Sequence, residues 1–301
     1  MNTLPDLPCY LNGDYTTLPH AKVSVMDHGF IFGDGIYEVV PVYGGRLFRF
    51  DQHMVRLTRS LKETRIHNPF TAGEWAEIAL KLVASYAEQT VSKVENTDQM
   101  VYFQITRGVA LRDHVMPTDI TPTVFAMSNV LKPANDAQRQ QGVACITADD
   151  FRWEKAHIKS VSLLGAVLAR QMSFDVGATE TIMFRHGHRS EAAASNVWVV
   201  KNGVVIGPPK DHLVLEGIRY GLIEELCQAQ GIPFELRPIR CAEVFTADEV
   251  MLSSATKEVL PVTRIDGKPV GAGKPGPVYQ RLYQGYQLAK EATPTSAPAG
   301  S

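Results

Sequence analysis

The sequence predicts an α+β (mixed α/β) protein of two domains. The chain has 301 residues, about twice the length of a typical domain, and 45% of them are hydrophobic. Hairpin-like runs and amphipathic helices are interspersed without strict alternation, which favours this class over a doubly wound sheet. The polar stretch 132–141 is interpreted as an interdomain linker between a small N-terminal α/β domain, 1–131, and a C-terminal domain, 142–289; residues 290–301 are interpreted as a disordered tail.

Turn dipeptides and helical spacing define the elements of the first half. Strand-like runs at 9–11 and 39–43 end at Asn12-Gly13 and Gly44-Gly45, as hairpins do. The segment DQHMVRLTRSLKETRI predicts a helix with Asp51 as its N-cap, and TAGEWAEIALKLVASYAEQ predicts a second amphipathic helix. MVYFQITRG and TPTVFAMSNV are rich in β-branched and aromatic residues, which predicts two strands.

The second half repeats the mixture of strands and helices. Strands are predicted at 143–147, 181–184, 197–200 and in EVMLSSA. SVSLLGAVLARQMSFDVG is apolar nearly all round, which predicts a buried helix ending at Gly177, and LEGIRYGLIEELCQAQG predicts a helix capped by Gly231.

Composition favours a small-molecule ligand. Lys and Arg total 30 against 32 Asp and Glu, a formal charge of -2, so the chain lacks the basic excess of proteins that bind nucleic acid or anionic membranes. The four cysteines form no C-x-x-C pair, which is typical of reduced thiols. The N-terminus has no basic and apolar leader, and no apolar run approaches the length of about 18 residues that a membrane span needs. We expect a cytoplasmic protein.

Two short motifs do not point to a function. GAGKPG matches G-x-G-x-x-G, but among prolines, with no predicted strand before it or helix after it, it is interpreted as a surface turn. His186-Gly187-His188 lies between two strand-like runs and is interpreted as a hairpin turn in preference to a metal site. No metal is predicted.

Three charged segments stand out in this pattern. Lys159 precedes an apolar helix, where partial desolvation favours a nucleophilic amine; taken alone, it also fits a snorkelling residue at a helix start. Glu191 precedes a run of small residues, as beside a flat ligand or in a tolerant loop. Arg112 and His114, one residue apart after a strand, suit a carboxylate or a solvated loop.

Seven ordered landmarks give these segments a common interpretation. Together they resemble the fold-type-IV pyridoxal-phosphate aminotransferases, which include D-amino-acid and branched-chain transaminases, and most closely the D-amino-acid branch. The resemblance implies that family's two-domain fold with the cofactor in the interdomain cleft. The landmarks are GDGIYEVV, the arginine of DQHMVRL, ITRG followed by R-x-H, HIKSVSLLGAVLA, SEAAASN, LEGIR and SSATKEVLPV.

The resemblance implies roles for the two central residues. Lys159 matches the lysine that binds pyridoxal 5'-phosphate covalently and moves the proton at the substrate Cα. Glu191 matches the carboxylate facing the pyridine nitrogen, which keeps that nitrogen protonated. Lys159 is therefore the expected catalytic residue.

The remaining cofactor contacts also follow from the resemblance. Arg56 matches the arginine that holds the phosphate, the backbone at the start of the LEGIR helix points amides at the same dianion, and Leu215 packs on the ring face. The other expected cofactor-binding residues are Ser195, Asn196, Gly217, Ile218, Arg219, Ser254 and Ala255.

The expected substrate contacts involve two subunits. By the same resemblance Tyr37, Arg112 and His114 bind the substrate carboxylate, with the arginine and histidine reaching in from the neighbouring subunit of a homodimer. Arginine supplies the planar fork that fits a carboxylate.

The chain departs from the family pattern around the phosphate. Arg219 and Ala255 stand where threonine is common, so two hydroxyl contacts are missing unless Arg219 compensates by charge or Thr256 by its hydroxyl. We expect an altered phosphate cup and weaker cofactor retention.

The predicted reaction is ping-pong transfer of an amino group from a D-amino acid such as D-alanine to a 2-oxo acid such as 2-oxoglutarate. Alternatives on the same fold are a branched-chain L-amino-acid or (R)-amine transaminase, or an aminodeoxychorismate lyase. A cofactor-binding protein without turnover is a further alternative, but Lys159, Glu191 and Arg56 together argue against it.

Overall fold

The chain forms two compact units. The computed structural model describes residues 4–90 and 98–293. Of these, unit 1 contains the residues up to Lys132, the segment Ile158–Leu163 and Thr293. Unit 2 contains Pro133–His157 and Leu164–Ala292. Ile158–Leu163 therefore packs with the N-terminal part of the chain, although it lies within the range predicted for the second domain.

Unit 1 is built on a six-stranded antiparallel sheet. Its strand order is β2-β1-β6-β5-β3-β4. The turn dipeptides end strands where the sequence predicts, because Asn12-Gly13 and Gly44-Gly45 all have positive φ. The strands are β1 (Pro8–Leu11), β2 (Asp14–Thr17), β3 (Gly35–Tyr43), β4 (Arg46–Leu47), β5 (Gln99–Thr106) and β6 (Thr123–Val130).

Three helices accompany this sheet: α1 (His28–Phe32), α2 (Phe50–Glu63) and α3 (Ala72–Thr90). The prediction of Asp51 as an N-cap is wrong, because α2 begins at Phe50 after Arg49 in the left-handed conformation, which places Asp51 in the first turn. The apolar faces of α2 and α3 pack on the sheet in one core that includes Leu57 and Trp75.

Unit 2 is built on a nine-stranded mixed sheet. Its order is β12-β11-β10-β13-β14-β7-β8-β9, with β15 paired to β14. Parallel pairs join β14 to β7, β7 to β8 and β11 to β12. The strands are β7 (Val143–Asp149), β8 (Glu180–Arg185), β9 (His188–Ala192), β10 (Asn196–Lys201), β11 (Val204–Gly207), β12 (Phe234–Leu236), β13 (Glu249–Ser254), β14 (Glu258–Ile265) and β15 (Lys268–Pro269).

The helices of unit 2 are α4 (Asp136–Gln141), α5 (Leu164–Asp175), α6 (Ile218–Ala229), α7 (Cys241–Phe245) and α8 (Pro277–Glu291). The stretch 132–141, interpreted as a linker, contains α4, which Asn135 and Gln138 cap reciprocally. Leu164 begins α5, so Lys159 precedes that helix by five residues.

The prediction that α5 is buried is wrong for the single chain. Its large apolar side chains are between 42% and 72% exposed, since the helix packs on the sheet chiefly through Ala169 and Ser173. The exposed side chains are Leu164, Val167, Leu168, Met172 and Phe174.

The GAGKPG segment lies between two elements that the sequence did not reveal. The short strand β15 precedes it, and α8 begins at Pro277 directly after it. The carboxylate of Glu249 accepts hydrogen bonds from the backbone N–H groups of Val278 and Tyr279, both at 2.9 Å. This helix terminus therefore already has a protein anion where a dinucleotide phosphate would bind.

The last described element is α8, and neither a membrane-spanning helix nor a metal-binding cluster occurs among the described residues. Helix α8 extends to Glu291, so it includes the first two residues of the predicted tail, and residues 294–301 lie outside the described part. Across residues 4–90 and 98–293, no helix is both long and apolar enough to span a bilayer. The same residues contain no cluster of three or more His, Cys, Asp or Glu suited to a metal ion.

Candidate active site

Lys159 lies on a segment that runs beside the start of β3. Its carbonyl accepts a hydrogen bond from the N–H of Tyr37 at 3.0 Å, and its own N–H donates to the hydroxyl of Ser60 at 3.4 Å. Ser160 forms an isolated bridge with Ile36. These contacts use only the backbone of the half-buried Lys159, so its side-chain amine remains available for chemistry.

The ring of Tyr37 contacts the side chain of Lys159. The Nζ atom lies 4.1 Å from the ring centroid, in cation–π range. Tyr37 also stacks on Tyr102 of β5 with 5.8 Å between centroids, and the hydroxyl of Tyr102 donates to Gln104 at 2.7 Å. Burial, and then neighbouring Tyr37, raise the pKa of Tyr102 to about 12. Two of the predicted residues thus meet in unit 1, with Tyr102 and Gln104 beside them.

Arg112 and His114 share one neighbour in the loop after β5. The guanidinium carbon of Arg112 lies 5.2 Å from the ring centroid of Phe32, and the His114 ring lies 5.4 Å from it. Both residues are exposed. The expectation that both side chains point to the same side fits their common contact with Phe32.

Arg56 is buried in an ion pair that the sequence did not predict. Its Nε and Nη2 donate to the two carboxylate oxygens of Glu38, each at 2.7 Å, and Nδ1 of His53 lies 2.7 Å from the same carboxylate. Burial alone raises the pKa of Glu38, but Arg56 and His53 outweigh it and hold that pKa far below its usual range. Glu38 therefore fixes the guanidinium predicted to bind phosphate.

Glu191 ends a buried polar cluster in unit 2. Its Oε1 accepts from Nη1 of Arg152 at 2.5 Å, and its Oε2 accepts from the N–H of Leu215 at 3.2 Å and from Nδ2 of Asn196 at 3.4 Å. Burial raises the pKa of Glu191 in spite of the Arg152 charge. Asp150 binds the same guanidinium from its other edge.

Arg152 is held between these two carboxylates. Burial lowers the pKa of its guanidinium, but the hydrogen bonds and charges of Asp150 and Glu191 outweigh burial and raise the pKa overall. Asp150 therefore fixes the guanidinium of Arg152 next to Glu191, the carboxylate that the sequence predicts to act on the cofactor.

Several predicted cofactor residues meet at the start of α6. Gly217 is the N-cap and Ile218 the first helical residue. The first N–H groups of a helix have no intrahelical acceptor, and a glycine cap offers them no side-chain oxygen, so this terminus suits an anion. Nδ2 of Asn196 donates to the Leu215 carbonyl at 2.9 Å, which ties β10 to the chain entering the helix.

Arg219 turns toward another helix. It is 2% exposed, and its Nε donates to the hydroxyl of Tyr286 on α8 at 3.1 Å. The idea that its charge replaces a missing threonine at the phosphate finds no support in this contact.

The last predicted residues lie in or beside the β13–β14 turn. Ser254 ends β13, and its hydroxyl accepts from the N–H of Lys257 at 3.0 Å; Ala255 follows it. Ser195, just before β10, donates to the buried Glu180 at 3.0 Å.

The comparison with protein families decides the identity of this fold. Residues 35–265 match the family model described as Amino-transferase class IV. The chain belongs to the class IV aminotransferases. The resemblance noted from the landmark segments and the mixed α/β fold are thereby confirmed, and the chain is an enzyme of a transferase family.

Relatives of this aminotransferase extend over nearly its full length. It is 36% identical to a D-alanine aminotransferase of Staphylococcus aureus over 279 residues, covering 92% of this chain and 96% of that one. It is also 36% identical to the D-alanine aminotransferase of Bacillus licheniformis over 277 residues, with 92% and 94% covered.

Solved structures extend the likeness to branched-chain enzymes. The branched-chain amino acid aminotransferase of Escherichia coli matches with a TM-score of 0.86 at 25% identity, covering 97% of each chain. The branched-chain aminotransferase of the archaeon Thermoproteus uzoniensis, solved with norvaline, matches with a TM-score of 0.84 at 22% identity, covering 95% of each chain. The second likeness shows the fold alone.

Sequence reasoning missed four residues of this aminotransferase's polar clusters: Glu38, His53, Asp150 and Arg152. Glu38 is within the GDGIYEVV landmark, where a buried acid among apolar residues was a visible signal. Asp150 and Arg152 lie outside every landmark, and Glu191, which Arg152 contacts, is 39 residues further along the chain. Only the folded chain reveals that pair.

Proposed function

We propose that this chain is a pyridoxal-phosphate-dependent transaminase that moves an amino group from a D-amino acid to a 2-oxo acid in two half-reactions. D-alanine is the proposed donor and 2-oxoglutarate the proposed acceptor. The observation that carries the proposal is the common placement of Arg112 and His114 against Phe32, which gives two cationic or donor groups suited to a carboxylate. The names of the 36% identical relatives support the same choice of donor.

The donor set fits pyridoxal 5'-phosphate. The glycine-capped start of α6 suits a phosphate dianion, Arg56 adds a guanidinium, and Lys159 offers an amine with no carboxylate within ion-pair distance of Nζ among the described residues. Glu191 is a buried acceptor, held by Arg152, suited to a protonated ring nitrogen. We therefore propose that Lys159 binds the cofactor covalently, with Leu215, Ser195, Asn196, Ser254 and the backbone of 217–219 as further contacts.

Each residue then has a defined task. When bound, pyridoxal phosphate supplies an electron sink for the electron pair of the broken Cα–H bond. The amine of Lys159, freed when the substrate amine takes its place on the cofactor, would take the proton from the substrate Cα and return it to the cofactor carbon that keeps the amino group. Glu191 keeps the ring nitrogen protonated, and Arg152 favours its ionised form. Tyr37, Arg112 and His114 orient the substrate carboxylate.

We propose a homodimer in which Arg112 and His114 serve the partner's site. Helix α5 exposes more large apolar side chains than one helix of a monomeric soluble protein usually does. Leu111 and Val115, which flank the Arg112 loop, are 86% and 74% exposed. A second copy of the chain that covers these side chains explains both exposures.

The substitution Arg112→Leu tests the carboxylate role. We expect a loss of about 100-fold in kcat/KM with D-alanine, since charge-assisted hydrogen bonds are removed, and little change with (R)-phenylethylamine, which has no carboxylate. Arg112→Lys keeps the charge without the bidentate fork, so its kcat/KM with D-alanine should lie between those of wild type and Arg112→Leu. Equal effects on both donors would place Arg112 outside the substrate site.

A branched-chain L-amino-acid transaminase is the second candidate. The likeness to the Escherichia coli enzyme at 25% identity supports it. The two candidates differ in the donor that reacts, so a faster half-reaction with L-leucine than with D-alanine would favour the second.

A further inference from the structure

The turn between β13 and β14 ends in an unusual backbone conformation. Residues 255–257 connect the strands, and Ser254 pairs with Glu258 across the turn. Glu258 has a φ of 58°, in the left-handed region. Residues other than glycine seldom adopt this conformation, because the Cβ atom comes too close to the backbone.

Three donors hold the carboxylate of Glu258. Nη2 of Arg139 on α4 lies 2.9 Å away, Nε2 of Gln287 lies 3.0 Å away, and Nζ of Lys290 lies 2.9 Å away. The last two belong to α8, and Glu258 is only 1% exposed. The strained residue is thus over-determined by contacts with two helices.

A second buried carboxylate holds the turn through the preceding residue. Nζ of Lys257 lies 3.0 Å from Oε2 of Glu180, which is fully buried on β8. The same oxygen accepts from the hydroxyl of Ser195 at 3.0 Å. Glu180 therefore connects the 254–257 turn to the residues that follow Glu191 along the chain.

We propose that Glu258 and Glu180 are positioning residues that fix the 254–257 turn for the phosphate of the cofactor. This inference rests on the proposed function, in which Ser254 of this turn contacts the cofactor, and it assigns that contact to the phosphate. Ala255 offers no hydroxyl, so the turn must bind through backbone N–H groups and the hydroxyls of Ser254 and Thr256, which lie 3.5 Å apart. Such groups bind an anion only when their direction is fixed.

A purely structural role predicts different behaviour. If the two carboxylates only join α4, α8 and β8 to the sheet, their loss lowers the stability of the chain without distinguishing ligands. If they fix the turn for a phosphate, their loss weakens only ligands that carry one. Pyridoxal phosphate and pyridoxal differ by that group alone.

The experiment uses Glu258→Gln and Lys257→Met in the full chain. Holoenzyme is diluted, and cofactor release is followed by its absorbance; the same protein is then reloaded with pyridoxal and measured again. We expect the Kd for pyridoxal phosphate to rise by about tenfold or more in each variant, because charge-assisted contacts are lost, and the Kd for pyridoxal to change by less than about twofold.

Glu249→Gln is the matched control. It makes the same change at a buried carboxylate of β13 that caps α8, so it should leave both dissociation constants unchanged. If Glu258→Gln does not fold, Lys290→Gln removes only one of the three donors and should still raise the Kd for pyridoxal phosphate alone.

Two results would overturn the inference. One is an unchanged Kd for pyridoxal phosphate in Glu258→Gln and Lys257→Met; the other is an equal rise for both ligands. A wild-type chain that binds neither ligand would instead contradict the proposed function, so the two failures are distinguishable.

Discussion

The buried carboxylate of Glu38 fixes two basic side chains of α2 in unit 1, Arg56 and His53. Its side chain is fully buried, yet both carboxylate oxygens are satisfied by Arg56 and one of them also by His53. An unpaired charge in that place is strongly destabilising, whereas a bidentate pair is tolerated and rigid. The guanidinium that we propose for the phosphate is therefore held by a strand, β3, as well as by its own helix, α2.

Glu38→Gln should lower the free energy of unfolding by about 3 kcal/mol at pH 7, since it breaks a buried ion pair. The pKa of Glu38 is lowered in the folded chain, so its stabilisation is present above the unfolded value of about 4.3 and is lost as the pH falls through the folded value. Urea denaturation should show the difference from wild type shrinking between pH 6 and pH 3. Glu88→Gln, at an exposed position of α3, is the control, and a pH-independent difference would contradict the assignment.

At the scale of elements, local sequence signals predicted the positions of strands and helices better than they predicted how each element is capped or buried. Asn12-Gly13 and Gly44-Gly45 end strands because a few adjacent residues set a turn by themselves. The N-cap of α2 was missed because Arg49, which has no local signature of a cap, takes the left-handed conformation. Whether the apolar face of α5 is covered depends on surfaces outside the helix, and the periodicity of its own residues carries no information about them.

The candidate site was predictable to the extent that its residues lie in recognisable segments. Lys159, Glu191 and Arg56 come from such segments, and their roles stay predictions. The pairs Glu38–Arg56 and Arg152–Glu191 were not predictable, because their members are 18 and 39 residues apart and no pattern in the chain encodes that contact.

Arg152 joins the segment that follows β7 to strand β9, because it binds Glu191. In Arg152→Met the carboxylate stays buried without its cation, so its pKa rises further above the unfolded value. The folded state then holds its proton more tightly than the unfolded state, and stability falls as the pH rises. Between pH 5 and pH 8 the free energy of unfolding of Arg152→Met should fall by about 1.4 kcal/mol or more beyond the change in wild type, which corresponds to one further pKa unit. Denaturant unfolding at the two pH values measures it.

The double variant Arg152→Met with Glu191→Gln isolates this effect from that of Asp150, which also binds Arg152. It should lack the additional loss at pH 8. Identical pH dependence of the single and double variants would show that Glu191 does not depend on Arg152 for its ionisation.

At the scale of the whole molecule, the proposed dimer with shared sites would cover the apolar face of α5 and the Arg112 loop, both exposed in the single chain. Lys159→Ala should be inactive with D-alanine, and Arg112→Leu should keep about 1% of the wild-type kcat/KM. Mixed dimers of the two variants contain one site with both lesions and one intact site, so random mixing should restore about a quarter of wild-type activity.

Lys159→Ala mixed with Glu191→Gln is the control for this complementation. Both residues are proposed to serve the site of their own subunit, so no mixed dimer contains an intact site. Absence of recovery for Lys159→Ala with Arg112→Leu would place Arg112 in its own subunit's site or outside the sites altogether.

The identity of the amino donor is the central claim, and one half-reaction tests it. Purified enzyme loaded with pyridoxal phosphate is mixed with D-alanine or with L-leucine, without any acceptor, and the absorbance of the bound cofactor is followed. The proposed function predicts that D-alanine converts the cofactor to its amine form and that L-leucine leaves it largely unchanged. Conversion by L-leucine but not by D-alanine would contradict it.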